Sequence, residues 1–103
     1  MENIAWQNIK DKITYPKGGI VSQVISKTKK SQVTLFCMSA GTDISEHTSA
    51  KEGFVFIIEG KGTFDLGKNR IEMLPGTLIT MKKSAVHSIA ASENTAFILV
   101  LHE

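Results

Sequence analysis

From Gly19 onward the chain is cut into segments of four to ten residues rich in Val, Ile, Phe and Thr, separated by breaks of two to four residues. Segments this short, punctuated by Gly, Asn, Lys and Ser, read as strands joined by tight turns. No stretch holds an apolar period of 3.6 residues, which removes helix bundles and α/β folds from consideration. Strands are predicted over 19–28, 31–39, 44–48, 53–59, 63–66, 70–74, 77–81, 86–91 and 95–102. The expected fold is all-β, a sandwich or barrel. At 103 residues the chain has room for a single domain, 1–103, with one modest core. Residues 1–18 are expected to form an N-terminal extension or edge strand, with a short turn or edge strand over residues 3–9.

Two segments do not alternate. Residues 54–58 read Phe-Val-Phe-Ile-Ile, and residues 96–101 read Ala-Phe-Ile-Leu-Val-Leu. A strand apolar on successive residues is covered on both faces. For a small domain the simplest outer cover is a second copy, so a homodimer through the outer apolar strand faces is expected. Val55 and Ile57 would fill the barrel, leaving Phe54, Phe56 and Ile58 outside.

A net charge of +2 argues against nucleic acid as a partner, because the lysines at 27, 29, 30, 82 and 83 fall in turns. The N-terminus lacks an apolar run of signal-peptide length, and no segment approaches membrane-spanning length. The expectation is a soluble cytoplasmic chain with no membrane partner. Cys37 is the single cysteine. It shares a strand face with Val33 and Leu35 and reads as a buried, inert thiol. Met38, Met73 and Met81 read as core filler.

The spacing of glycines and histidines resembles that of the cupins, small jelly-roll β-barrels with two sequence motifs. In the first, G-x5-H-x-H-x3-4-E-x6-G, Gly41, His47 and Gly60 match. In the second, G-x5-P-x-G-x2-H-x3-N, Gly76 and His87 match. The resemblance covers residues 33–101 and implies a single-domain, RmlC-like jelly roll. It also implies that His47 and His87 line the barrel interior.

The same alignment puts Ser49 at the second histidine position and Gly53 at the carboxylate position. Lys82, Ser84 and Ala91 replace the motif's proline, glycine and asparagine. Half of the implied metal ligands are absent, so no resident cofactor is expected. Glu52, one residue from the lost carboxylate, leaves an alternative open. A β-bulge at Gly53 would turn it inward to complete a His47–His87–Glu52 site for Fe, Mn, Ni or Zn; without the bulge it is a surface charge. The expected function is non-catalytic binding or sensing of an unknown small molecule in a pocket containing His47, Ser49 and His87. The alternative is a metal-dependent enzyme of dioxygenase or isomerase type with a reduced ligand set.

Overall fold

The computed structural model describes residues 5–103. Among them are nine strands: β1 (Ile20–Lys27), β2 (Ser31–Met38), β3 (Asp43–His47), β4 (Glu52–Glu59), β5 (Gly62–Leu66), β6 (Asn69–Met73), β7 (Leu78–Met81), β8 (His87–Ala91) and β9 (Thr95–His102). All pair antiparallel, in a five-stranded sheet of order β1-β2-β9-β4-β7 and a four-stranded sheet of order β3-β8-β5-β6. This is the expected all-β jelly roll. No described helix is long and apolar enough to cross a membrane.

The interior follows from the two-residue period of each strand. Val55 and Ile57 of β4, Phe97 of β9, Phe64 of β5 and Met73 of β6 are at most 1% exposed and meet between the sheets. Asp65 and Glu72 take the opposite face of their strands, where Asp65 forms an exposed ion pair with Arg70 at 2.8 Å.

The outer face of the five-stranded sheet carries a second apolar cluster. Leu35 and Cys37 of β2 and Ala96 of β9 are buried there, packed by Ile9, Ile13 and Tyr15 from the N-terminal segment. Among its described residues that segment contains no strand but a 3-10 turn at Ile9–Lys12, capped by the Asn8 side chain, which accepts from Lys10 N–H at 3.0 Å. It is tied down by Gln7 donating to the Ile25 carbonyl at 3.2 Å and by Tyr15 donating to Glu59 at 2.6 Å. Burial, then the Glu59 carboxylate, pushes the Tyr15 hydroxyl well above the ordinary phenol range. Of the turn or edge strand expected over 3–9, residues 3 and 4 lie outside the described residues.

This arrangement corrects one expectation. Around Ile58, Ala96 and Ile98, part of the cover expected from a second copy comes from the chain's own N-terminal segment. Cys37 is 1% exposed, buried as expected, and lies beneath this strap. The strap stops short of the far side of the sheet, where Phe56 is 42% and Leu78 58% exposed.

Candidate functional site

The site begins with an irregularity in β3. Ile44 pairs with Ile89, and continued regular pairing would set Glu46 opposite His87 with His47 on the other face. Instead the register shifts between Ile44 and His47, and His47 pairs directly with His87. The bulge lets both Ile44 and His47 face inward despite their odd separation.

The two imidazoles lie edge to face, with ring centroids 4.0 Å apart. The Phe64 ring stacks on His87 at 5.7 Å, nearly parallel. Nδ1 of His47 is 2.8 Å from the Ser45 carbonyl, and Nδ1 of His87 is 3.1 Å from the Ala85 carbonyl. A carbonyl only accepts, so Nδ1 carries the proton in both rings and each Nε2 keeps a lone pair. Both rings open onto a cavity of about 80 Å³ walled otherwise by apolar side chains, among them Phe36, Val55, Phe97 and Met81. His47 is exposed while His87 is 6% exposed, so the chamber has a wet side and a dry side. Met81 also borders a larger open groove of about 600 Å³, lined by Glu52, Phe54, Leu66, Lys82 and His102.

Burial, and to a smaller extent the neighbouring His47, holds the His87 imidazole below its ordinary range, against the raising effect of its bond to Ala85. An unfolded chain takes up this proton near pH 6.5. The folded chain takes it up only at lower pH. Above the unfolded pKa both states are neutral and the group contributes nothing; below it the unfolded state is favoured, so stability falls as pH drops. The urea midpoint is expected to decline below about pH 6.5. In His87→Phe, which keeps a ring against Phe64, that part of the decline should disappear; an unchanged slope would exclude His87 as its source.

The other expected residues sit elsewhere. Ser49 does not line the chamber: the strand ends at His47, alternation ends with it, and the Ser49 hydroxyl accepts from Lys51 N–H at 3.2 Å. Glu52 is exposed and pairs with His102, and Gly53 follows in unbroken register with Leu101. The bulge considered at Gly53 is absent, because the irregularity in this ladder falls between Ile57 and Glu59. Glu52 therefore shares the outward face of Phe54 and Phe56. Among the described residues no three His, Cys, Asp or Glu side chains gather as metal ligands. Two neutral imidazoles without a carboxylate do not fit the divalent-metal set that the motif spacing implies.

Met81 is buried in the core cluster, as expected, and also lines the chamber with both histidines. Its strand parity with Ile79 places it on the inner face, but sequence alone did not show that β7, in the opposite sheet, shares a cavity with the histidine strands. Ser84, at the motif's glycine position, adopts φ of +62°, a left-handed conformation that costs a side-chain-bearing residue about 1 kcal/mol. Ser84→Gly should hold or slightly raise the thermal midpoint, whereas Ser84→Val should lower it measurably.

The cupin-domain family profile matches residues 34–102. Among solved structures, a conserved protein of unknown function from Streptococcus pyogenes is 18% identical, with a TM-score of 0.86 over 100% of this chain and 90% of that one. A cupin superfamily protein from Desulfitobacterium hafniense is 15% identical, with a TM-score of 0.87 over 98% and 95% of the two chains. An RmlC-like cupin from Desulfovibrio desulfuricans is 16% identical, with a TM-score of 0.86 over 97% of each. At such identities the likeness is one of fold. No curated protein sequence matches the chain.

Proposed function

The chain belongs to the cupin-domain family, and from that premise we propose that it binds or senses a small ligand at the His47–His87 chamber without transforming it. The observation that carries this reading is the pair of Nε2 lone pairs left free by the bonds from Nδ1 to Ser45 and Ala85. A chamber with lone pairs and apolar walls suits a group that accepts electron density: an N–H or O–H donor, or a cation. The approach in this reading is the groove that shares Met81 with the chamber, and its volume is in the range of sites for organic molecules.

The alternative, a dioxygenase- or isomerase-type reaction on a divalent metal, would need Glu52 at the histidines, and its outward parity gives that reading no support. The test is a ligand-observed NMR screen of small alcohols, amines and amides against wild type and the His47→Ala/His87→Ala double variant. Binding that disappears in the variant supports the proposal; binding unchanged in the variant, or none to wild type, ends it.

A homodimer is part of the same proposal. Phe56 pairs across the sheet with Leu78 on one side and Ile98 on the other, and Phe54 with Val100, forming one apolar patch beyond the strap. Covering a Phe or Leu recovers up to roughly 1.5 to 3 kcal/mol per side chain. Light scattering at micromolar concentration should report twice the chain mass, and Phe56→Asp should return a monomer. A monomeric wild type would refute this surface as a dimer contact.

A further inference from the structure

We propose that the ligand is a hydroxylated organic anion, collected by lysines that ring the histidine end of the barrel. Its hydroxyl goes to the imidazoles, and its carboxylate or phosphate stays outside among the lysines. This narrows the binding proposal and rests on it. Successive antiparallel strands reverse the chain, so alternate loops fall at opposite ends of the barrel. The β1–β2, β3–β4, β5–β6 and β7–β8 loops share the end where β3 finishes at His47 and β8 starts at His87. Backbone bonds join three of them. Ser84 N–H donates to the Ser49 carbonyl at 2.8 Å, and Gly67 N–H donates to the Val86 carbonyl at 2.9 Å. The fourth joins them through β9, where His102 pairs with both Ser31 and Glu52.

Each of these four loops carries lysine and none carries a carboxylate: Lys29 and Lys30, then Lys51, Lys68, and Lys82 with Lys83. All six are exposed. The loops between strands at the other end hold one lysine, Lys61, and one acid, Glu93. A chain with a net charge of only +2 thus gathers its positive charge around the histidines. The carboxylates of this end are Glu46 in β3, Glu52 in β4 and Glu103 after β9. Among the described residues none of them pairs with a lysine; the ion pair that forms joins Asp65 to Arg70. The six ammonium groups are left to meet the charge of a ligand.

This charge selects among the groups that the Nε2 lone pairs could accept. Like charges gathered at one end of a molecule draw an anion towards it and repel an ammonium ion. A hydroxyl carried by an anion satisfies both the lysines and the imidazoles. Size then divides the ligand. The chamber of about 80 Å³ suits a small hydroxyl-bearing end, and the groove of about 600 Å³ that shares Met81 with it has room for the rest. Lys82 lines that groove directly after Met81. A further groove of about 330 Å³ shares His102 with it and is lined by Lys51 and Lys83. Glu52 and Glu103 interrupt the lysines there, which suits a compact anion and not the unbroken phosphate row of a nucleic acid.

The experiment compares two matched pairs by ligand-observed NMR, gluconate with sorbitol and glycerol 3-phosphate with glycerol. The anion of at least one pair should bind about 10-fold more tightly than its neutral partner, the size expected of a few exposed charges acting through water. The pair that responds tells carboxylate from phosphate. Raising salt from about 10 mM to about 100 mM shortens the screening length from roughly 30 Å to roughly 10 Å and should erode that advantage. Lys82→Glu/Lys83→Glu should remove most of it. Lys17→Glu/Lys61→Glu, an equal change in net charge away from the histidines, should leave it intact. His47→Ala/His87→Ala should weaken binding of the anion as well. Neutral partners bound as tightly as their anions, an anion preference unchanged in Lys82→Glu/Lys83→Glu, anion binding indifferent to the histidine variant, or tighter binding of a single-stranded oligonucleotide would each overturn the inference. If the anions fail while neutral alcohols or amides still bind in a histidine-dependent way, this inference alone falls. If both fail, the binding proposal falls with it.

Discussion

Gly53→Ala is expected to cost about 3 kcal/mol, although it adds one methyl group to a buried strand. Gly53 lies between Leu101 of β9 and Met81 of β7, with neighbouring backbones on both sides. A Cβ at this position would run into the Val100 carbonyl oxygen and come within 2.9 Å of Leu101 Cδ2. The leucine side chain can turn away; the carbonyl belongs to the ladder and cannot move without breaking it. A clear drop in the urea midpoint at unchanged slope is the expected result. A midpoint equal to wild type would mean that β4 and β9 can separate locally at no cost. The same obstruction bears on the missing ligand. A glutamate introduced by Gly53→Glu would meet the same carbonyl, so position 53 cannot supply a carboxylate in this backbone.

The second large effect is expected from removing the N-terminal strap. A chain lacking residues 1–15 loses Ile9, Ile13 and Tyr15 and uncovers Leu35, Cys37 and Ala96. At roughly 1.5 to 3 kcal/mol for each large apolar side chain fully buried, and less for those half-buried here, the loss is about 3 to 5 kcal/mol. Cys37 supplies a local readout. In the full chain its thiol should react with a thiol reagent slowly, through unfolding; in the truncated chain it should react promptly while the protein still gives a folded β-sheet spectrum. Prompt labelling of the full chain, or slow labelling of both, would show that the strap does not protect this face.

Much of the architecture was legible because β-structure writes itself at short range. The nine strands fall within about two residues of the segments bounded by AGTD, GKG, GKN, PG, KKSA and SEN. The histidine pair was legible through motif spacing, and parity held a further clue. Ile44 and His47 are an odd number apart, so both can face inward only across a bulge, which is where the β3–β8 register shifts.

What was not legible depended on contacts distant in sequence. Residues 5–18 carry no period because they lie as a strap, not a strand, so the whole outer cover of residues 54–58 and 96–101 was ascribed to another copy. Glu52 was weighed as a ligand because glycine marks many bulges, but Gly53 serves close backbone approach instead. Met81 resembles any other core methionine until β7 is placed next to β4 and the chamber closes around it.

The position of β9 has a consequence for how the molecule is made. This strand is ninth along the chain, yet it lies between β2 and β4, and Ser31 pairs with His102. While the polypeptide emerges from a ribosome, β1–β2 and β4–β7 can form only as separate two-stranded ribbons, each too small to persist in water. They become one sheet when the last strand enters between them, closing two long loops in a single step. Such non-local pairing is slow, on the order of milliseconds to seconds. During that interval the inward faces of Phe97's future partners, Phe36 and Ile57, have no strand between them. Assembly of the sheet therefore waits for residues 95–102 and is nearly all-or-none, and the nascent chain is most prone to aggregate just before they become available.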